Sequence, residues 1–118
     1  MRNAKFDGVM TALCTMYNCD GSVNADMVKA HTDFCIRGGV NTVLASACSG
    51  QYVNMTAKQR EDTIKAVVEG AAGRVPVLAG VLEPGLGAAL ENAKLAEGSG
   101  AEALVVLPPY YVTVTQEG

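Results

Sequence analysis

An α/β fold with parallel strands is the architecture this sequence predicts, and three observations predict it. Short apolar runs with little alternation begin near positions 8, 42, 75 and 103, and such runs suit strands buried on both faces. Between them lie segments with apolar residues at helical spacing, bounded by capping residues or glycines. The strand-to-strand repeat is about 30 residues, the size of a βαβ unit. The order βαβαβαβ argues for right-handed helical crossovers between parallel strands. It does not separate an open doubly wound sheet from part of a barrel.

Each element has a local reason. Gly8-Val9-Met10-Thr11-Ala12-Leu13-Cys14 is the first apolar run, and Asn18-Cys19-Asp20-Gly21 behind it is a turn cluster. Asn24 is placed to cap a helix over 25–37, with Met27, Ala30, His31, Phe34 and Cys35 as its expected inward stripe. Gly38-Gly39 ends it. Val40 to Ser46 reads as the second strand, followed by the small-residue loop Ala47-Cys48-Ser49-Gly50-Gln51. Thr56-Ala57-Lys58-Gln59 matches a capping box. The helix behind it carries Ile64, Val67, Val68 and Ala71 on one face and is expected to close at Gly70 and Gly73. Val75 to Val81 is the third strand, with Pro76 near its start, where a missing donor is tolerated. A third helix runs from Leu86 to Glu97 and stops at Gly98; Ala103 to Leu107 is the fourth strand, broken by Pro108-Pro109-Tyr110-Tyr111. The last strand has no covering helix, so the 118 residues are expected to be one partial domain, half of a larger fold. Unpaired edges and uncovered apolar faces then predict self-association.

Composition narrows the function classes. The 118 residues are 49% hydrophobic and 18% charged, which excludes a disordered tail. Net charge is −3, and with no basic field nucleic-acid binding is not expected. A mean hydropathy of +0.19 is high for a small soluble domain and hints at a surface that expects a partner. No stretch reaches the roughly 18 consecutive apolar residues of a membrane span, and Met1 to Asp7 lacks the apolar core of a secretory signal. Cys14, Cys19, Cys35 and Cys48 show no Cys-x-x-Cys spacing and His31 is the only histidine, so no metal site is expected. Three of the four cysteines sit in apolar or strand-like runs and read as small hydrophobes. That fits a reducing, cytoplasmic compartment, with a disulfide framework as the alternative.

In parallel α/β folds the reactive face lies at the carboxyl ends of the strands. Three loops there are informative. Cys48-Ser49-Gly50 offers consecutive backbone N–H groups that can cradle a carboxylate or phosphate, beside a thiol and a hydroxyl; the plain reading is a glycine turn. Tyr110 and Tyr111 stand behind two prolines, where a phenol can serve proton transfer or simply pack at an edge. Thr15, with Cys14, ends the first strand and is placed to line a pocket mouth. The third loop, Gly85-x-Gly87-x-x-Leu90, lacks the last glycine of a dinucleotide turn and no P-loop lysine follows. Glu83 reads as a solvated loop carboxylate, Lys58 to Asp62 as a solvated helix face, and His31 as a partly buried packing histidine.

From Phe6 to Gly118 these segments resemble the dihydrodipicolinate synthase/N-acetylneuraminate lyase family. The residues that carry the resemblance are Ala12-Leu13-Cys14-Thr15, with Met16 where the family has proline; Gly39-Val40; and Ala47-Cys48-Ser49-Gly50-Gln51 for its Gly-Thr-Thr-Gly-Glu. Met55-Thr56, Gln59-Arg60-Glu61 and Arg74 to Gly80 follow in order. Leu104 to Tyr111, with the trailing Gln116-Glu117-Gly118, is the most specific match. The resemblance implies the N-terminal half of a (β/α)8 TIM barrel, usually assembled as a homotetramer of tight dimers. It implies a class I aldolase or lyase that forms a Schiff base between a lysine and pyruvate or another 2-keto acid, with no cofactor and no metal. It implies that Ser49 and Gly50 hold the keto-acid carboxylate, with Thr15 and Tyr110 lining the site. Cys48 stands where the family has a relaying Thr or Ser, and Tyr111 matches the tyrosine that completes a neighbouring subunit's relay. Ala47, Gln51, Pro84 and Leu86 depart from the family pattern and favour a divergent aldolase or lyase over the lysine-biosynthesis synthase itself. The Schiff-base lysine belongs on the sixth strand and a second tyrosine on the fifth, neither of which is in these 118 residues, so the chain alone is expected to be inactive. The rival readings are a non-catalytic half-barrel that binds small carboxylates or only assembles, and a flavodoxin-type domain. The latter wants acidic residues where this chain has Leu13-Cys14-Thr15 and Ala79-Gly80-Val81.

Overall fold

A computed structural model describes residues 4–111, 113 and 115. The N-terminal Met1 to Asn3 and the trailing Gln116-Glu117-Gly118 lie outside the described residues. Four strands, β1 (Met10–Ala12), β2 (Thr42–Ala45), β3 (Val77–Val81) and β4 (Ala103–Val106), alternate with three helices, α1 (Ala25–Arg37), α2 (Ala57–Ala71) and α3 (Leu86–Gly98). Two 3-10 turns, Ala4–Phe6 and Tyr52–Asn54, complete the elements.

Strand order decides between the two architectures left open by the sequence. The sheet runs β1-β2-β3-β4, every pair parallel. A doubly wound sheet reverses its order at a switch point and carries helices on both faces. Here each crossover steps the same way, so one hand of connection puts all three helices on one face. This is the N-terminal half of a (β/α)8 barrel.

The register shows which residues meet the helices. Val43 pairs with Val77 and Ala45 with Ala79. All four are buried and pack with Leu13, Val28, Ile64, Val67, Ala71 and Ala96 in one core. Alternation sends Thr42, Leu44 and Leu78 to the opposite, concave face.

The caps form as local chemistry requires. Asn24 accepts the Met27 N–H at 3.0 Å. Thr56 and Gln59 make the reciprocal capping box, with the Thr56 N–H donating to Gln59 Oε1 at 2.8 Å. The inward stripe of α1, however, is not the expected one. Val28 and Thr32 are its buried residues, while Met27, Ala30 and Phe34 are exposed. A 13-residue helix offers two apolar stripes here, and packing against α2 selects the one led by Val28. The same packing corrects the role of Gly70, which does not close α2. It lies inside the helix, where a Cβ would sit 3.0 Å from the Lys29 Cα. The stop is made by Ala72 and Gly73, both at positive φ. His31 is half-buried, as expected for a packing residue.

Candidate functional site

The loops leaving the carboxyl ends of the four parallel strands share one rim. At the end of β2 the backbone turns sharply: Ser46 is buried at φ 53°. β3 comes so close there that a Cβ on Gly80 would fall 2.4 Å from the Ser46 carbonyl oxygen, so glycine is needed at that point. The Ser46 hydroxyl reaches the Met55 sulfur at 3.4 Å.

The loop that follows closes on itself. The Gln51 N–H donates to the Cys48 carbonyl at 3.0 Å and the Tyr52 N–H to the Ala47 carbonyl at 3.1 Å. The N–H groups of Cys48, Ser49 and Gly50 make no hydrogen bond among the described residues. Cys48 and Ser49 are exposed, whereas Gly50 is buried over Thr15. A Cβ at Gly50 would meet the Thr15 hydroxyl at 3.2 Å and the Leu13 carbonyl at 3.3 Å. Thr15 is 7% exposed, and its hydroxyl has no partner among the described residues. Thr15, Cys48, Ser49 and Gly50 are thus brought together.

The two tyrosines part ways. Tyr110 donates its phenol proton to the Leu82 carbonyl at 2.7 Å, tying the loop after β4 to the end of β3. Tyr111 is 99% exposed at φ 80°. The cysteines depart from expectation too. All four are free, and Cys14, Cys19 and Cys48 are exposed, so only the half-buried Cys35 behaves as a small hydrophobe. Burial pushes the Cys35 thiol up. No group of three metal-ligating side chains occurs among the described residues, nor is any described helix long and apolar enough to cross a membrane.

A polar cluster beside this loop was not anticipated. The Glu83 carboxylate, far from being solvated, accepts from the Tyr52 phenol at 3.0 Å, from Arg60 Nη1 at 2.9 Å and from Asn92 Nδ2 at 3.3 Å. The Arg60 and Glu83 side chains are only 14% and 18% exposed. Arg60 also donates to the Asn92 side-chain Oδ1 at 3.0 Å and to the Tyr52 backbone carbonyl at 3.3 Å. Its guanidinium carbon lies 4.0 Å from the centre of the Tyr52 ring, within cation–π reach. Burial pushes the Tyr52 phenol up to about 12, against the opposing pull of the Arg60 charge. The only hint in the sequence was opposite charge on Arg60 and Glu83, which are 23 residues apart and meet only once adjacent βα units pack.

The profile of the dihydrodipicolinate synthetase family matches residues 5–118. Among curated relatives, a probable 5-dehydro-4-deoxyglucarate dehydratase of Streptomyces coelicolor is 39% identical over 88% of this chain and 33% of its own length. A 4-hydroxy-tetrahydrodipicolinate synthase of Thermoanaerobacter sp. is 34% identical over 96% of this chain and 38% of its own. The chain therefore spans 33% to 38% of the length of these relatives. Among solved structures, a dihydrodipicolinate synthase superposes with TM-score 0.89 at 32% identity, covering 96% of this chain and 39% of that one. A prophage protein of E. coli K12, solved in complex with pyruvate and assigned to the dihydrodipicolinic acid synthase family, superposes with TM-score 0.88 at 26% identity over 97% and 38%.

Proposed function

This chain belongs to the dihydrodipicolinate synthetase family, and from that premise we propose that the whole protein is a lyase or aldolase acting on pyruvate or a related 2-keto acid. In this reading a lysine amine attacks the keto carbon and water leaves. The resulting iminium draws electrons from the adjacent carbon, so that a carbon–carbon bond is made or broken through an enamine. The observation that carries the proposal is the set of unspent N–H groups at Cys48, Ser49 and Gly50, stacked over the unpartnered Thr15 hydroxyl. Successive backbone N–H groups in a turn form a concavity suited to a carboxylate. That two family structures, the E. coli prophage protein and a synthase of Acinetobacter baumannii, were solved with pyruvate supports the same ligand class.

Roles follow from position. Ser49 and Gly50 take the carboxylate, and Thr15 and Tyr110 line and brace the site. Cys48 occupies the relay position; its thiol is a weaker hydrogen-bond partner and a stronger nucleophile than a hydroxyl, which predicts a slower relay. Tyr111, its ring almost wholly exposed, suits a reach toward a neighbouring subunit of a homodimer or homotetramer. The amine must come from elsewhere in the whole protein. Lys5 lies in a 3-10 turn, Lys29 in α1, Lys58 and Lys65 in α2 and Lys94 in α3, and none stands at a strand end. That placement favours a second reading for these 118 residues by themselves: carboxylate binding without turnover.

The test is a titration of the labelled chain with pyruvate, followed by amide NMR. Shifts confined to Cys48–Gly50 and Thr15 are expected, and borohydride should leave the mass of the 118-residue chain unchanged. Saturating pyruvate with no shift at Ser49 and Gly50 would remove the proposal's support.

A further inference from the structure

We propose that Glu83 and Arg60 are positioning residues, which pin the turn behind Cys48–Gly50 and thereby set the direction of its backbone N–H groups. The inference rests on the carboxylate-cradle reading for its consequence, but its geometry is independent of any ligand. Only Gln51, at φ 66°, separates Gly50 from Tyr52. Because the Tyr52 N–H is bonded to the Ala47 carbonyl, the loop 47–52 is a closed ring that moves with Tyr52.

Tyr52 itself is held from three sides. Its ring is 1% exposed, its phenol donates to Glu83, and its carbonyl accepts from Arg60, whose guanidinium also covers the ring. Arg60 sits in the first turn of α2, Glu83 just past β3, and Asn92 in α3, so three elements converge on one turn. Glu83 also follows directly on Leu82, whose carbonyl holds the Tyr110 phenol. The adjacent residues Leu82 and Glu83, one through its carbonyl and one through its carboxylate, therefore join the loop after β4 to the loop after β2. A lysine at position 60 keeps the charge but lacks the fork that serves Glu83, Asn92 and the Tyr52 carbonyl together.

Amide hydrogen exchange on the 118-residue chain tests this, comparing Glu83→Gln, Arg60→Lys and Tyr52→Phe with the parent. The expected result is exchange at the hydrogen-bonded amides of Gln51, Tyr52, Asn54 and Met55 faster by about tenfold, the effect of losing one charge-assisted hydrogen bond, while amides of β2 and β3 change much less. Tyr52→Phe keeps the ring packed and carries the test if Glu83→Gln fails to fold. Unchanged exchange in the loop, or an equal rise in loop and strands, overturns the proposal, since the second pattern is simple destabilisation. Absence of pyruvate shifts in the parent chain would count against the keto-acid reading alone and leave the exchange result standing.

Discussion

The centre of the sheet and its last strand are built from the same kind of residue and end in different states. At the centre, Val43, Ala45, Val77 and Ala79 are at most 4% exposed, because α1 and α2 lie over them. At β4, Leu104 and Val106 are 39% and 56% exposed, and Leu86 and Leu90 of α3 are open beside them. Between α3 and β4 lies an open groove lined by Leu90, Ala93, Lys94, Glu97 and Leu104. The lesson is that an apolar strand in this architecture is stabilised by the helix layer above it, not by strand pairing alone. Burial of apolar area supplies the larger energy, at roughly 25 cal/mol per Å².

Three measurements break or sharpen that contrast. Ile64→Ala should cost most, about 2–5 kcal/mol in denaturant unfolding, because Ile64 is 1% exposed in the core and its removal leaves a cavity. The next effect concerns the flank of the centre. Tyr52 ionises near 10 in the unfolded chain but only at about 12 when folded. Between those values the folded chain holds more protons, so stability is full below about pH 10 and falls as pH rises toward about 12. Denaturant midpoints across that window should drop less steeply in Tyr52→Phe than in the parent. The smallest effect is expected at the uncovered strand, where Leu104→Ala should cost under about 1 kcal/mol. A loss matching that of Ile64→Ala would mean that β4 is covered in solution, and sedimentation would then show association.

Much of the fold was legible because its causes are local. Asn24 and Thr56–Gln59 cap their helices as read, since each needs only backbone N–H groups two or three residues away. Gly21, Gly39 and Gly73 take the positive φ that their turns demand. The loop Cys48-Ser49-Gly50 and its neighbour Thr15 were found because parallel strands fix which ends carry loops of one rim. The misses share the opposite property. The stripe of α1, the packing role of Gly70 and the Arg60–Glu83 pair all depend on what another element presents at close range.

By itself, then, the sequence determined the alternation of strands and helices, the caps, the turn glycines and the position of the small-residue loop after β2. Those follow from backbone hydrogen bonding and steric limits within a few residues. The strand order 1-2-3-4 was implied by the family resemblance, not by element spacing, and the structure bears it out; only the tertiary structure decided that α1 buries Val28 and not Met27, and that Glu83 is sequestered with Arg60 and Tyr52. Those choices compare burial and charge pairing among residues far apart in the chain, and no local pattern contains the comparison.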